Sequence, residues 1–361
     1  MKILVIFIDM FRTDILNIYD NSKSETIIDR YFKDFGGILY NNVWTPCPDT
    51  GRSLSAFWSG IPCYENGCNN RGKYPAFFLD KESFLDRIEK KGFNIRLISN
   101  HQFRADRIYP EKYTSNKYQL KGLDDLKDTP SNSFTFIDIL DFHEVLDFFE
   151  YKEKTIKIAH NQVFDDLNSI FSKVEKNIFD KIVFFSDHGM ILKSEKRTDS
   201  NFIGKARSRI FMQYWDKNTI GFKKNNTLLS ITDIHKFIEN DYEYIKNIQP
   251  IEHILIEDFK TLESTPDSRI PNIWMYKKAG RELVFNNLEI KNYFLSKNDL
   301  FLEAISNYPH LNNLSKEQVR YQNVKHVTKN MVSRYYVDGK KRKTSFKYKL
   351  KRLKVKLTLK G

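Results

Sequence analysis

Apolar residues follow two alternating patterns along the first 250 positions. Short uninterrupted apolar runs rich in β-branched residues predict buried strands at 2–8, 93–98, 134–140 and 181–185. Apolar residues at helical spacing predict helices at 53–58, 83–91 and 155–174. Strands that alternate with helices indicate an α/β fold with a mainly parallel central sheet and helices on both faces. The carboxyl ends of its strands would then be open for chemistry.

The pattern changes after about residue 250. Short strand-like segments at 253–259, 272–277 and 281–286 are separated by Pro and Gly and are followed by a helical pattern at 299–306. This predicts a small C-terminal α+β unit with an antiparallel sheet, either a subdomain or an extension of the main sheet. We therefore divide the chain into an α/β domain (1–245), a smaller C-terminal subdomain (246–335) and a tail (336–361).

The composition is that of a folded protein, and the charge is concentrated at one end. The chain has 361 residues, 40% of them hydrophobic and 29% charged, which excludes disordered and low-complexity classes. The net charge is +13, but eleven basic residues and no acidic ones lie at 340–361, so removing them leaves +2. The charge therefore belongs to the tail and not to the fold.

The tail alternates basic and apolar residues, as a segment lying on an anionic membrane surface would. The alternative is a solvated tail or an edge strand protected by lysines. Nucleic acid is an unlikely partner, because Phe346 and Tyr348 are the only aromatic residues available there for stacking. We expect peripheral contact with a membrane.

Cysteine usage and the N-terminus bear on location. Cys47, Cys63 and Cys68 show neither CxxC nor Cys/His metal spacing, so no disulfide framework is expected. The apolar start meets Asp9 almost at once without a cleavage site, and no apolar run approaches the roughly 18 residues of a membrane span. These features predict a cytoplasmic protein that could contact the inner membrane face through its tail.

Candidate chemistry lies where strands end. Asp9 follows the first strand, Asp187 and His188 follow the strand at 181–185, and Thr50 precedes a predicted helix. Singly, each residue would more often be a turn or capping residue. Together, two acids, an imidazole and a hydroxyl at a helix start are the parts of a divalent-cation site with an activated nucleophile.

These residues lie in motifs that resemble a known family. IDMFRTD at the first strand, the TPCPDT turn with Ser59-Gly60 beyond it, SNH at 99–101, IDILDFH at 137–143 and SDHG at 186–189 are similar to the alkaline phosphatase superfamily, sulfatase-like branch, over roughly residues 1–240. The resemblance implies that Asp9, Asp187 and His188 hold one divalent cation, which could be Mn²⁺, Mg²⁺, Ca²⁺ or Zn²⁺. It also implies that Thr50 is both the fourth ligand and the nucleophile.

Further site residues come from the same comparison and from spacing. The accessory His positions of the family match His101 and His143, either of which could orient or protonate the substrate. Arg52 is close enough to Thr50 to bind the oxygens of a phosphate or sulfate, although it could instead be a solvated helix residue. Lys205 is a weaker candidate for the same contact.

Departures from the family pattern narrow the activity. Sulfatases need Cys or Ser within C/S-x-P-x-R, but Thr50 is at the nucleophile position and Asp49 is where Cys47 would require Pro. Met10 replaces the acid that typically follows Asp9, which favours one metal. The resemblance then implies a metal-dependent phosphoester hydrolase or phospho-group transferase acting on a phosphorylated or sulfated small molecule, glycan or lipid-linked substrate. The alternatives are a sulfatase and a non-catalytic protein that binds anionic glycans.

Overall fold

The computed structural model of the chain describes residues 1–66, 82–99, 110, 123–196, 198–258, 273–286 and 296–313. The described strands are β1 Lys2–Ile8, β2 Gly37–Tyr40, β3 Val43–Trp44, β4 Asn94–Ser99, β5 Ser133–Ile139, β6 Lys181–Phe185, β7 Arg209–Ile210, β8 Met212–Asp216, β9 Phe222–Asn225, β10 Leu229–Ser230, β11 His253–Asp258, β12 Ile273–Lys278 and β13 Arg281–Asn286. The described α-helices are α1 Ile27–Phe35, α2 Thr50–Ser59, α3 Phe84–Lys90, α4 Asp141–Phe149, α5 Glu153–Lys173, α6 Asp199–Ile203, α7 Lys205–Ser208, α8 Ile234–Glu239, α9 Tyr242–Lys246 and α10 Asp299–Asn307. His101 and the basic tail lie outside the described residues.

A seven-stranded sheet forms the centre of the fold, in the order β4-β5-β1-β6-β8-β2-β9. Strands β4, β5, β1 and β6 are parallel neighbours, and every residue of β1 pairs with β5. Strand β8 runs antiparallel to both β6 and β2. The predicted mainly parallel sheet is confirmed, with β1 between β5 and β6, so that the ends of these three strands meet at one edge.

Helices cover both faces of this sheet, as the uninterrupted apolar strands predict. Successive residues of a strand point to opposite faces, and in β6 Phe184 and Phe185 enter two different cores. Phe185 packs with Phe57 of α2, while Phe184 packs with Phe32 of α1. A strand that is apolar at every position is therefore stable here, because neither face meets water.

The C-terminal unit has its own antiparallel sheet, β11-β12-β13. One face contributes Ile256 and Met275 to a cluster with Trp44, which belongs to the 1–245 part of the chain. The other face packs Trp274 and Phe285 against α10. The predicted small antiparallel sheet is confirmed as a sheet separate from the central one and packed against it.

The cysteine expectation needs a correction. The structure joins Cys47 and Cys63 in a disulfide, with their Cα atoms 6.9 Å apart. The two residues flank α2, and the segments before and after the helix fold back to meet each other in a way that sequence spacing does not reveal. Among the helices of the described residues, none has the length and hydropathy of a membrane span.

Candidate metal and nucleophile site

Two buried carboxylates meet at the ends of neighbouring strands. Asp9 directly follows β1, and Asp187 lies two residues after β6. Met10 adopts a left-handed conformation with φ of 60°, and its N–H donates to Asp187 Oδ1 at 2.9 Å. The N–H of His188 donates to the same oxygen at 2.8 Å. The backbone thus fixes one Asp187 oxygen and leaves the other directed at the site.

Thr50 is the first residue of α2. Asp49 caps the helix by accepting from the N–H of Arg52 at 3.2 Å, so the helix begins three residues earlier than predicted. The Thr50 hydroxyl donates to Asp9 Oδ1 at 3.1 Å and lies 3.3 Å from His188 Nε2. Thr50 is half-buried and therefore reachable from solvent. The hydroxyl lies at a helix N-terminus, where an anion is favoured.

His188 is held in the form that binds metals. Its Nδ1 lies 2.6 Å from the carbonyl oxygen of Gly189, which leaves Nε2 facing Thr50. Burial lowers the pKa of His188 to about 4, so the ring is neutral at physiological pH. A neutral imidazole with one nitrogen directed into a cluster of acids is a ready cation ligand.

The charges of the site also suit a cation. Asp9, Asp187 and His188 each offer a ligand atom, and these atoms all lie within 4.8 Å of one another. Burial, and then the neighbouring charge of Asp9, raise the pKa of Asp187 well above its usual range. Two buried carboxylates repel each other at this distance, and a divalent cation between them would remove that cost. The donor set therefore fits a hard or borderline cation.

His143 of α4 lies beside the same carboxylate. Its Nδ1 is 2.7 Å from Asp9 Oδ2, and its Nε2 is 3.2 Å from Asp147 Oδ2. Burial favours the neutral ring, but Asp9 and Asp147 outweigh burial and raise the pKa of His143 to about 10. Because α4 follows β5, which pairs with β1, the topology delivers His143 to Asp9.

Arg52 has partners that the sequence does not suggest. Its side chain is fully buried, with Nε bonded to Asp49 Oδ2 at 2.5 Å and Nη2 bonded to Asp258 Oδ1 at 3.0 Å. The sequence predicts an Arg52 that contacts a bound anion. In the structure its charge instead meets two carboxylates, because Asp258 at the end of β11 lies beside the start of α2.

Sequence analysis missed the remaining members of this network. Arg207 Nη1 bonds to the second oxygen of Asp258, and its Nη2 donates to the Pro48 carbonyl at 2.7 Å. Asp49 could have been recognised as a helix cap, because its side chain can accept a hydrogen bond from the N–H three residues later. Asp258 carries no such signal, since it is 206 residues from Arg52. Lys205, the weaker candidate, is exposed at the start of α7.

Known structures share this architecture. A 2-O GAG sulfatase superposes with a TM-score of 0.57 at 11% sequence identity, covering 89% of this chain and 93% of its own. The chain has the fold of sulfatases. The protein i-CgsB, solved with k-i-k-neocarrahexaose, superposes with a TM-score of 0.54 at 15% sequence identity, covering 94% of this chain and 98% of its own. A protein in the alkaline phosphatase superfamily from Vibrio parahaemolyticus superposes with a TM-score of 0.50 at 11% sequence identity, covering 79% of this chain and 76% of its own.

These comparisons confirm the fold that the sequence motifs imply, namely the sulfatase-like fold of the alkaline phosphatase superfamily. No family model matches the chain, and no curated protein matches it by sequence. The identities are low, so the likeness is one of fold. The chemistry must be argued from the chain's own residues.

Proposed function

We propose that the chain is a divalent-metal-dependent phosphoester hydrolase or phospho-group transferase with Thr50 as its nucleophile. The carrying observation is the position of the Thr50 hydroxyl, 3.1 Å from Asp9 Oδ1 and 3.3 Å from His188 Nε2. A nucleophile must lie within hydrogen-bond reach of the groups that activate it, and Thr50 does.

Each residue then has a distinct task. Asp9, Asp187 and His188 would hold the cation, with Thr50 as a further ligand. A cation bound there would lower the pKa of the hydroxyl and neutralise charge on the transferred group. Thr50 Oγ1 would attack phosphorus as its proton passes to Asp9 Oδ1, its hydrogen-bond acceptor. The P–O bond to the ester's alcohol would break, and the departing oxygen would take a proton from water. Water or an acceptor hydroxyl would afterwards take the phosphoryl group from Thr50.

We assign His143 to orientation of Asp9, since Nδ1 contacts that carboxylate and Nε2 faces Asp147. Protonation of the leaving oxygen, which the sequence assigns to His101 or His143, would require Nε2 to exchange Asp147 for the substrate. We assign Arg52 to positioning: its bonds to Asp49 and Asp258 hold the start of α2, and hence Thr50, against the C-terminal sheet. The Arg52 side chain is fully buried, which argues against a direct contact with the transferred group.

The substrate class that we propose is supported by the same site and by the neighbouring folds. Thr50 is half-buried and reachable from solvent, and its position at the N-terminus of α2 suits an anionic ester group. The 2-O GAG sulfatase and i-CgsB with its neocarrahexaose bear names that refer to glycans, which supports a glycan as substrate. A sulfatase remains the second candidate because the fold is shared with sulfatases, although Thr50 cannot become formylglycine.

The experiment compares Thr50→Ala, Thr50→Ser and Ser55→Ala on an activated phosphodiester, a phosphomonoester and a sulfate ester. Thr50→Ala should abolish turnover, and Thr50→Ser should retain part of it. Ser55→Ala is the control, because the Ser55 hydroxyl bonds within α2 to the Arg52 carbonyl. Mass spectrometry of the quenched wild-type reaction should find the phosphoryl group on Thr50. Wild-type turnover by Thr50→Ala would refute the nucleophile, and faster cleavage of the sulfate ester would favour a sulfatase.

The basic tail is a separate part of the proposal. Deleting 340–361 should reduce salt-sensitive binding to vesicles of anionic lipid while leaving turnover of a small soluble substrate unchanged. Equal vesicle binding by both forms would exclude the membrane contact.

A further inference from the structure

A second cluster of metal-ligating side chains lies where β11 of the small sheet meets the segments that flank α2. Cys47, Cys63 and Glu257 each offer a ligand atom within 4.8 Å of the others, and all three residues are buried. The cluster shares no residue with the Asp9, Asp187 and His188 site. Two sulfurs and a carboxylate are a typical donor set for zinc, whereas the first site offers mainly oxygen.

Backbone pairing fixes this cluster. The N–H of Glu257 donates to the carbonyl of Pro46 at 2.9 Å, which holds β11 against the residue that precedes Cys47. Alternate residues of a strand share a face, so Glu257 lies on the side of Leu255, within the apolar cluster of the small sheet. Asp258 takes the other side and meets Arg52.

An imidazole lies beside the carboxylate of this cluster. His310 Nε2 lies 3.8 Å from Glu257 Oε2 and has no hydrogen-bond partner among the described residues. The ring of Tyr64, the residue after Cys63, stacks on the His310 ring with centroids 4.9 Å apart. Aromatic packing therefore holds His310 beside the carboxylate, where it could bind a metal directly or orient Glu257.

The local charge also admits a cation. The positive charge of Arg52 interacts with the carboxylate of Glu257. The charges of Arg52 and Arg207 are, however, already paired with the carboxylates of Asp49 and Asp258. Without metal the reduced cysteines would be neutral thiols and Glu257 the one buried charge of the three side chains. A divalent cation that displaced both thiol protons would face two thiolates and Glu257 and would neutralise two of their three charges.

We propose that the reduced chain binds one zinc-like divalent cation through Cys47, Cys63 and Glu257, with His310 as a fourth ligand or as a partner of Glu257. The structure shows the oxidised state, in which the two sulfurs are bonded to each other. A dithiol reductant supplies two electrons and two protons to this bond and itself becomes a disulfide. Metal binding then releases the thiol protons. The site would thus exchange a cation for a disulfide across the two ends of the helix that carries Thr50.

Cobalt is the probe, because thiolate ligation gives it a charge-transfer absorption that oxygen ligation does not. The protein is the full chain carrying Asp187→Asn, which removes a ligand of the first site. It is reduced under denaturing conditions and refolded with Co²⁺. We expect one equivalent to bind with thiolate absorption, and none in the oxidised chain. Glu257→Gln should weaken binding by about 10- to 100-fold.

The controls separate the ligands from the third cysteine. Cys68→Ser should keep the absorption, and Cys63→Ser should lose it. Because Cys63→Ser could fail to fold, the unmodified reduced chain is also alkylated with and without Zn²⁺. Cys47 and Cys63 should be protected by zinc, as read by peptide mass spectrometry. A reduced chain without thiolate absorption, or equal alkylation of both cysteines with and without zinc, would overturn the proposal.

Discussion

Arg52 and Asp258 form a fully buried ion pair, with Nη2 and Oδ1 3.0 Å apart. The pair joins the start of α2, the helix that begins with Thr50, to the last residue of β11, and Asp258 also accepts from Arg207, which follows the Asp-His motif in the chain. One carboxylate of the C-terminal sheet thus ties together two segments that carry site residues. The C-terminal unit is in this sense part of the candidate site and not an appendage.

Removing the charge of Asp258 should therefore be costly. Asp258→Asn leaves Arg52 and Arg207 without their shared carboxylate, and breaking a buried pair in this way costs about 3–5 kcal/mol. The matched control is Glu282→Gln, which breaks the exposed Lys277–Glu282 pair of the same small sheet and should cost less than about 1 kcal/mol. Urea unfolding measures both free energies. Equal destabilisation by the two variants would contradict a special role for Asp258.

Asp187→Asn should have opposite effects with and without metal. The pKa of Asp187 is raised by burial and by Asp9, so the ionised carboxylate destabilises the metal-free fold as pH rises above its unfolded value of 3.8. The amide oxygen can still accept from Met10 and His188. In chelator the variant should therefore melt at a higher temperature than wild type.

With bound metal, wild type should instead melt at a higher temperature than Asp187→Asn. Wild type gains about 2.7 kcal/mol when the cation is at 100 times its dissociation constant, and the variant gains nothing from this site. Melting temperatures of wild type and Asp187→Asn, measured in chelator and in Mn²⁺, test the metal-free and the metal-bound prediction. An equal rise in melting temperature for the two proteins would show that Asp187 is not a ligand.

His160 should make stability depend on pH. It is buried in α5 against Phe11 and Phe142, and neither ring nitrogen has a hydrogen-bond partner among the described residues. Burial lowers its pKa from 6.5 to about 3. The unfolded chain therefore binds a proton below pH 6.5 that the folded chain does not, and stability falls as pH falls toward 3.

The size of this pH effect follows from the difference between the pKa of His160 in the folded and in the unfolded chain. Between pH 7.5 and pH 5 this one residue should cost about 2 kcal/mol, at about 1.4 kcal/mol per pH unit below 6.5. His160→Leu should remove that part of the pH dependence while matching or exceeding wild-type stability at pH 7.5. Denaturant unfolding at both pH values measures the difference. Parallel losses in wild type and variant would place the ionisation elsewhere.

Local patterns predicted much of the fold correctly. β1 and β6 match their predicted bounds, because a parallel strand covered on both faces must be apolar at each position. The three strands of the small sheet also appear where alternation and turn residues predict them. The start of α2 was predicted too late, because Gly51 weakens the helical pattern although Asp49 caps it.

Contacts between distant segments were the part that could not be predicted. Motifs indicated Asp9, Thr50, Asp187 and His188, and the structure brings these four together. The environment of Arg52 depends on Asp258, and the Cys47–Cys63 contact depends on how α2 packs. Neither leaves a periodic or spacing signal, since both arise from tertiary packing and not from local preference.

Gly189 offers a last test, because the SDHG segment lies against the chain that carries Arg207. A Cβ at Gly189 would lie 2.1 Å from the carbonyl oxygen of Ala206 and 3.4 Å from the Cα of Arg12. The N–H of Gly189 donates to the Arg207 carbonyl at 2.8 Å, and its own carbonyl contacts His188 Nδ1. Any side chain at position 189 must push the SDHG segment away from the segment that carries Ala206 and Arg207, and must turn the His188 ring.

Gly189→Ala should therefore lose stability and metal affinity together. Overpacking of this kind costs about 1–3 kcal/mol, and loss of the group that orients a metal-binding His costs about 10- to 100-fold in affinity. Gly221→Ala is the control: its Cβ would meet open space but its φ is +65°, so it should cost about 1 kcal/mol and leave affinity unchanged. Urea unfolding and Mn²⁺ titration measure the two effects. Wild-type affinity in Gly189→Ala would mean that the Gly189 carbonyl does not position His188.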